Sequence, residues 1–134
     1  MLKAWRIVKA KHAGNAFDGE GARPFGSRWT SPGVRVVFAA ESLSLATLEI
    51  LVHLQTSSVL ASYVTFTVEF PEDLVRDLDR SLIPKGWRNY PPSPQTQRAG
   101  DDWVRSASST VLRVPGAIVV HEHNYLLNPL HGDF

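Results

Sequence analysis

Between residues 12 and 33 the chain carries five glycines, Gly14, Gly19, Gly21, Gly26 and Gly33, with no helical spacing of apolar residues among them. Glycine loses more conformational freedom on folding than any other residue, so such a stretch builds neither a helix nor a strand interior. It reads as a long loop, and a loop of this length in a compact domain is uncommon and tends to be functional. Any fold open to the chain must assemble its sheet and helices around it. The loop closes on Phe25-Gly-Ser-Arg-Trp-Thr-Ser-Pro-Gly33, just ahead of the apolar run Val34–Ala40. Arg28 offers a rigid fork of donors that suits phosphate. Trp29 offers a flat apolar surface with one N–H donor. Together they suit a phosphorylated, ring-bearing ligand such as a nucleotide. A solvated arginine beside a core tryptophan is the plainer alternative.

Around the loop, strand and helix patterns mix without strict alternation, which favours an α+β class over a doubly wound sheet. Ala4–Val8 reads as a short strand and Val34–Ala40 as the next. Ser42 is placed to cap a helix running to about Leu54, with Leu45, Leu48 and Val52 in its buried stripe. Tyr63–Phe70 alternates most clearly and is a third strand. Pro71 with two acids behind it predicts a short helix to about Asp79. Residues 81–94 carry four prolines and read as irregular, and Gln95–Ala107 as a helix that Gly100 weakens. Thr110–Val114 and Ala117–Val120 are strand-like on either side of Pro115-Gly116, and the tail Asn124–Pro129 is too apolar for a disordered end. The expectation is one domain over residues 1–134, long enough to bury roughly 65–70% of its unfolded surface.

Charge is distributed unevenly. Residues 1–37 hold seven basic and two acidic residues, a net of +5; residues 38–134 hold seven and eleven, a net of −4. A small anionic ligand gathered by the first part fits this asymmetry, as does ordinary surface scatter. The overall net charge of +1 argues against direct nucleic-acid binding. Without cysteine there is neither a disulfide framework nor a thiolate metal site, which suits the cytoplasm. The N-terminus has no continuous apolar core of a signal peptide, and no apolar stretch reaches membrane-spanning length.

Three sets of residues invite a chemical reading. Glu49 has Leu45, Ala46 and Val52 as helical neighbours, so its carboxylate projects from a mainly apolar face. Such a group is paired, with His53 four residues on as a candidate, or sits at the rim, or faces a pocket. Of the five histidines, His121 and His123 would share one face of a strand, but no cysteine or helical His-Glu-x-x-His pattern supports a metal, and none is expected. Ser106, Ser108 and Ser109 stand just before a strand, where serines usually cap or turn.

Trp5-Arg-Ile-Val8, Phe17-Asp-Gly-Glu-Gly21, Gly26-Ser-Arg-Trp-Thr-Ser-Pro-Gly33, Val36–Ser42, Leu48-Glu-Ile-Leu-Val-His-Leu54, Val68-Glu-Phe-Pro71, Gly86-Trp-Arg88, Leu112-Arg-Val-Pro115 and Asn124–Pro129, in this order, resemble the RES domain family. The resemblance spans nearly the whole chain. It implies a fold like that of ADP-ribosyltransferases and a toxin that consumes NAD⁺ by hydrolysis or phosphorolysis at the nicotinamide–ribose bond. It also implies an Xre-type helix-turn-helix antitoxin as partner, and homodimerisation as a further expectation. By position, Arg28 matches the family arginine and Glu49 the family glutamate, with Ser109 placed as the serine and Ser106 as its fallback. Arg6, Trp29 and Phe38 join Ser106 as expected NAD⁺ contacts.

Two positions depart from the family pattern. Phe38 stands where relatives usually carry tyrosine, and Gly116 follows Val114-Pro115 where they usually carry serine. These departures keep a catalytically weak nucleotide-binding domain in view, beside an ADP-ribosyltransferase that modifies a macromolecule.

Overall fold

The computed structural model describes residues 1–52 and 62–134. Its centre is a mixed six-stranded sheet built from β1 (Leu2–Lys9), β2 (Val37–Ala40), β3 (Tyr63–Phe70), β4 (Val75–Asp77), β5 (Val111–Pro115) and β6 (His123–Leu127). The spatial order is β3-β1-β2-β6-β5-β4. All neighbouring pairs are antiparallel except β4 with β5. Two helices, α1 (Leu43–Leu51) and α2 (Pro94–Ser106), complete an α+β fold.

Alternation along the central strands separates two apolar clusters. Val37 and Ala39 of β2 join Tyr125 and Leu127 of β6, with Ala4 and Phe70, in one. Phe38, Leu126, Leu112 and Val114 belong to the other, with Trp29 and with Ala99 and Trp103 of α2. Ala40 leads a smaller group in which Leu45 and Ala46 of α1 pack against Trp5 and Ile7 of β1. Both helices therefore pack on the side of the sheet that carries Phe38, Ala40 and Leu126.

The helix starts follow local chemistry. Ser42 accepts the Leu45 N–H at 3.0 Å, and Ser93 accepts the Thr96 N–H at 3.1 Å with Pro94 in the first turn. Along α1 the expected stripe is buried only in part. Leu45 is 1% exposed, whereas Leu48 and Val52 are 38% and 56% exposed. His53 and Leu54 lie outside the described residues, so the suggested Glu49–His53 pair does too.

Four expectations are corrected. The run Val34–Ala40 forms a strand only from Val37. After Pro71 there is one 3₁₀ turn, Glu72–Leu74, and then β4 in place of the expected helix. Its three residues align with Val111, Leu112 and Arg113 of β5, and that pairing overrides the local helix signal. Residues 117–120 form bends and turn rather than a strand. Pro115-Gly116 ends β5, the Gly116 N–H donates to the Glu122 carbonyl at 2.9 Å, and the returning strand is His123–Leu127. His121 consequently sits in the turn, and only His123 lies on the strand.

Candidate functional site

The glycine-rich loop is held against α2 by backbone and side-chain contacts. Gly26 adopts a φ of +73°, and Ser27 closes the turn through its N–H on the Thr30 carbonyl at 2.8 Å. Asp101 of α2 accepts the Ser31 N–H at 2.8 Å and the Ser31 hydroxyl at 2.5 Å. Gln97 donates to the Ser27 carbonyl at 2.9 Å. Between these anchors the backbone of Trp29 lies so close to Gly100 that a Cβ there would stand 1.9 Å from the Trp29 carbonyl oxygen. The glycine that weakens the helix in sequence terms is what lets the loop dock.

Docking the loop opens a cavity of about 590 Å³ between it, the ends of β1 and β2, α1, β6 and residues 90–92. That is the size range of small-molecule sites. Arg6, Arg28, Trp29, Phe38 and Glu49 border it, although they come from four separate stretches of sequence.

Arg6 occupies a split in the sheet. Strands β1 and β2 pair at one position, Trp5 opposite Ala40. The Arg6 Nε donates to the Ala16 carbonyl at 2.7 Å, and an Arg6 Nη donates to the Phe38 carbonyl at 2.9 Å. The guanidinium thus satisfies a strand carbonyl and also presents its charge to the cavity. Its pKa is lowered by burial and raised in part by Asp18.

Arg28 donates from one Nη to the carbonyls of Trp87 at 2.6 Å and Asn89 at 3.0 Å. The bonds pin the segment before Tyr90-Pro-Pro92 as one wall of the cavity. Burial lowers the Arg28 pKa; the negative charge of Glu49 raises it, and the positive charge of Arg88 lowers it again. Arg28 and Glu49 therefore feel each other across the space. Glu49 is half-buried, and its Oε1 accepts the side-chain N–H of Asn124 at 3.1 Å.

Not every expected contact is placed at the cavity. Trp29 borders it but is 2% exposed, and its indole packs on Trp87 at 5.6 Å between centroids, so the ring belongs to the core. Ser109 and Ser106 are absent from the cavity lining. Ser109 accepts the Trp103 indole N–H at 2.8 Å and donates to the Val111 carbonyl at 2.9 Å. Ser106 donates to the Trp103 carbonyl at 2.8 Å. Both serines close the C-terminal end of α2, as serines in such positions commonly do.

Other residues enter the site unannounced. Phe25 and Tyr90 line it while staying 87% and 75% exposed, so they form its lips. Asn124 lines its floor from β6. Residues 81–94 read as irregular, which gave no sign of a pocket wall. Asn124 opens a tail read as apolar and as one of the segments that carry the family resemblance, with no site role attached to it. Among the described residues no three His, Cys, Asp or Glu side chains are grouped to hold a metal ion, and no helix is long and apolar enough to cross a membrane.

Comparison with known proteins gives the family and the fold. The family model described as RES domain matches residues 3–134. "Toxin Res" of Yersinia enterocolitica is 38% identical over 133 residues, covering 99% of this chain and 88% of the relative. "Toxin Res" of Photorhabdus laumondii is 36% identical over 130 residues, covering 97% and 83%. A "Prs ADP-ribosylating toxin" of a Sphingobium strain is 34% identical, covering 96% and 83%. Among solved structures, a chain of the M. tuberculosis MbcT-MbcA toxin-antitoxin complex superposes with a TM-score of 0.73 at 20% identity, over 94% of this chain and 73% of that one. At that identity the superposition speaks for the fold. Family match, relatives and fold agree: the chain belongs to the RES domain family.

Proposed function

We propose that this chain, working as one RES domain, is the toxin of a toxin–antitoxin pair and cleaves the nicotinamide–ribose bond of NAD⁺. The observation that carries the reading is the meeting of Arg28 and Glu49 on one cavity, from a loop and a helix that only the tertiary fold brings together. Breaking the bond sends its electron pair out with neutral nicotinamide and leaves a cationic, oxocarbenium-like ribose. A site for this step must hold the diphosphate and place negative charge by the sugar. Arg28, with Arg6 deeper in the cavity, supplies the phosphate donors, and Phe38 supplies an apolar face. Ionised Glu49 engages the ribose hydroxyls and stabilises the cation until water or phosphate captures it. No step needs a metal. Ser109 has its hydroxyl engaged by Trp103 and Val111 and receives no ligand contact in this scheme. The partner would be an antitoxin, of Xre type by the family resemblance, and the setting cytoplasmic.

The purified protein given NAD⁺ should release nicotinamide, and Glu49→Gln should lower kcat by about 100-fold or more, the scale of losing one preorganised electrostatic contact. Wild-type turnover in Glu49→Gln removes the role given to Glu49. The relative named as an ADP-ribosylating toxin favours a second reading, transfer of the same ribosyl cation to a macromolecule. NAD⁺ labelled in its adenylate half separates the two: transfer leaves label on a macromolecule, and hydrolysis leaves it on free ADP-ribose.

A further inference from the structure

We infer that Asn124 is a positioning residue for Glu49, holding its carboxylate towards the sheet and away from Arg28. The inference rests on the reading of Glu49 as the catalytic carboxylate. Arg28 and Glu49 attract one another across the cavity, yet no ion pair joins them among the described residues. Direct pairing would neutralise both groups and close the space that a ligand needs. Each is instead tied elsewhere. Arg28 is bound to the Trp87 and Asn89 carbonyls, and Glu49 Oε1 to the Asn124 side-chain N–H at 3.1 Å.

The two partners differ in rigidity. Glu49 stands near the C-terminal end of α1 on a side chain with three rotatable bonds. Asn124 lies on β6, which is paired on both sides, with Ala40 of β2 and Val114 of β5 opposite it. Its short side chain therefore projects from a backbone position paired on both sides within the sheet. Among the described residues it is the hydrogen-bond partner of the Glu49 carboxylate. Anchoring Oε1 holds the carboxylate of a residue that lines the cavity and leaves Oε2 to accept from a ribose hydroxyl. An asparagine does this without adding charge, because its amide donates a hydrogen bond while remaining neutral.

The test is a double-mutant cycle on nicotinamide release, measured with enzyme in excess so that slow variants remain readable. Asn124→Ala should lower kcat by about 10- to 100-fold, the scale of misplacing a reacting group by an ångström. KM for NAD⁺ should stay within about threefold, since ground-state binding is left to the arginines. In a Glu49→Gln background the further change Asn124→Ala should cost nothing more, because its effect passes through Glu49. Asn124→Asp keeps the volume, removes the N–H donor and should lose at least as much as Asn124→Ala; melting curves check that each variant is folded. Native turnover in Asn124→Ala or Asn124→Asp overturns the inference. So does a loss confined to KM, or an equal loss in the Glu49→Gln background, each of which leaves the role of Glu49 intact. Native turnover in Glu49→Gln alone removes the underlying reading, and the positioning role with it.

Discussion

Arg28 and Ser109 show how differently two polar residues of one motif set can end. Arg28 borders the cavity, with one Nη engaged by the Trp87 and Asn89 carbonyls. Ser109 has its hydroxyl filled on both sides, accepting from an indole that is itself 6% exposed and donating to a carbonyl. Removing that hydroxyl strands a buried N–H, which costs about 1–3 kcal/mol. Ser109→Ala is therefore expected to lower the melting temperature while turnover per folded molecule stays native. A turnover loss at unchanged stability would return Ser109 to the site. Gly116 is constrained in another way. A Cβ there would stand 2.6 Å from the Val119 carbonyl oxygen, so the serine of the family pattern fits only if the 116–122 turn shifts. This departure is built into the turn, and the cavity keeps Arg28, Glu49 and Asn124 without it.

At the scale of elements, β4 is the least self-sufficient piece. Three residues make too short a strand to hold alone, and Asp77 opposite Arg113 adds a two-bond carboxylate–guanidinium clamp at 2.6 and 3.0 Å. The Arg113 hydrogen bond holds the Asp77 pKa below its ordinary value, and the same bond raises that of Arg113. A carboxylate whose folded pKa is depressed contributes stability above its unfolded pKa and loses it as pH falls through the folded one. The clamp is therefore complete near neutrality and fades below about pH 4. With Asp77 66% exposed, solvent screening limits its worth to less than about 1 kcal/mol. Asp77→Asn should lower the melting temperature slightly at pH 7 and by less at pH 3. An equal drop at both values assigns the effect to packing instead. In α2, helix propensity and docking pull against each other at Gly100. Alanine would gain about 1 kcal/mol of helix propensity, but its Cβ would collide with the Trp29 backbone at 1.9 Å, and the collision decides the sign.

For the molecule as a whole, the cavity is where distant parts of the chain meet. Its walls come from β1, the glycine-rich loop, β2, α1, the segment at Tyr90-Pro-Pro92, α2 and β6. A ligand seated there touches most of the fold and binds the unfolded chain not at all, so it must stabilise the native state by mass action. At 100 times its Kd the gain is about 2.7 kcal/mol, worth several degrees in a domain of this size. NAD⁺ added to the turnover-impaired Glu49→Gln variant should raise its melting temperature with increasing concentration. A flat response to millimolar NAD⁺ would count against the dinucleotide as ligand.

The sequence by itself determined the parts whose signals are local. Ser42 caps a helix because a side-chain oxygen reaches the N–H group three residues on, and Tyr63–Phe70 is a strand because its alternation suits a pleat with period two. Arg28 and Glu49 were legible as chemistry without a location, one by its glycine frame and the other by its carboxylate on an apolar helix face. Only the tertiary structure decided which of the marked residues meet. Pairing with β5 turned the segment after Pro71 into β4, and the close approach at Gly100 took Trp29 into the core. The hydrogen bonds at the end of α2 hold Ser109 outside the cavity lining, while β6 carries Asn124 into it. Apart from the short-range bonds of Ser109, these outcomes depend on contacts between residues tens of positions apart, and no local periodicity or spacing encodes such a contact. The glycines marked where the backbone could bend; what it bent towards was settled by the sheet and helix that received it.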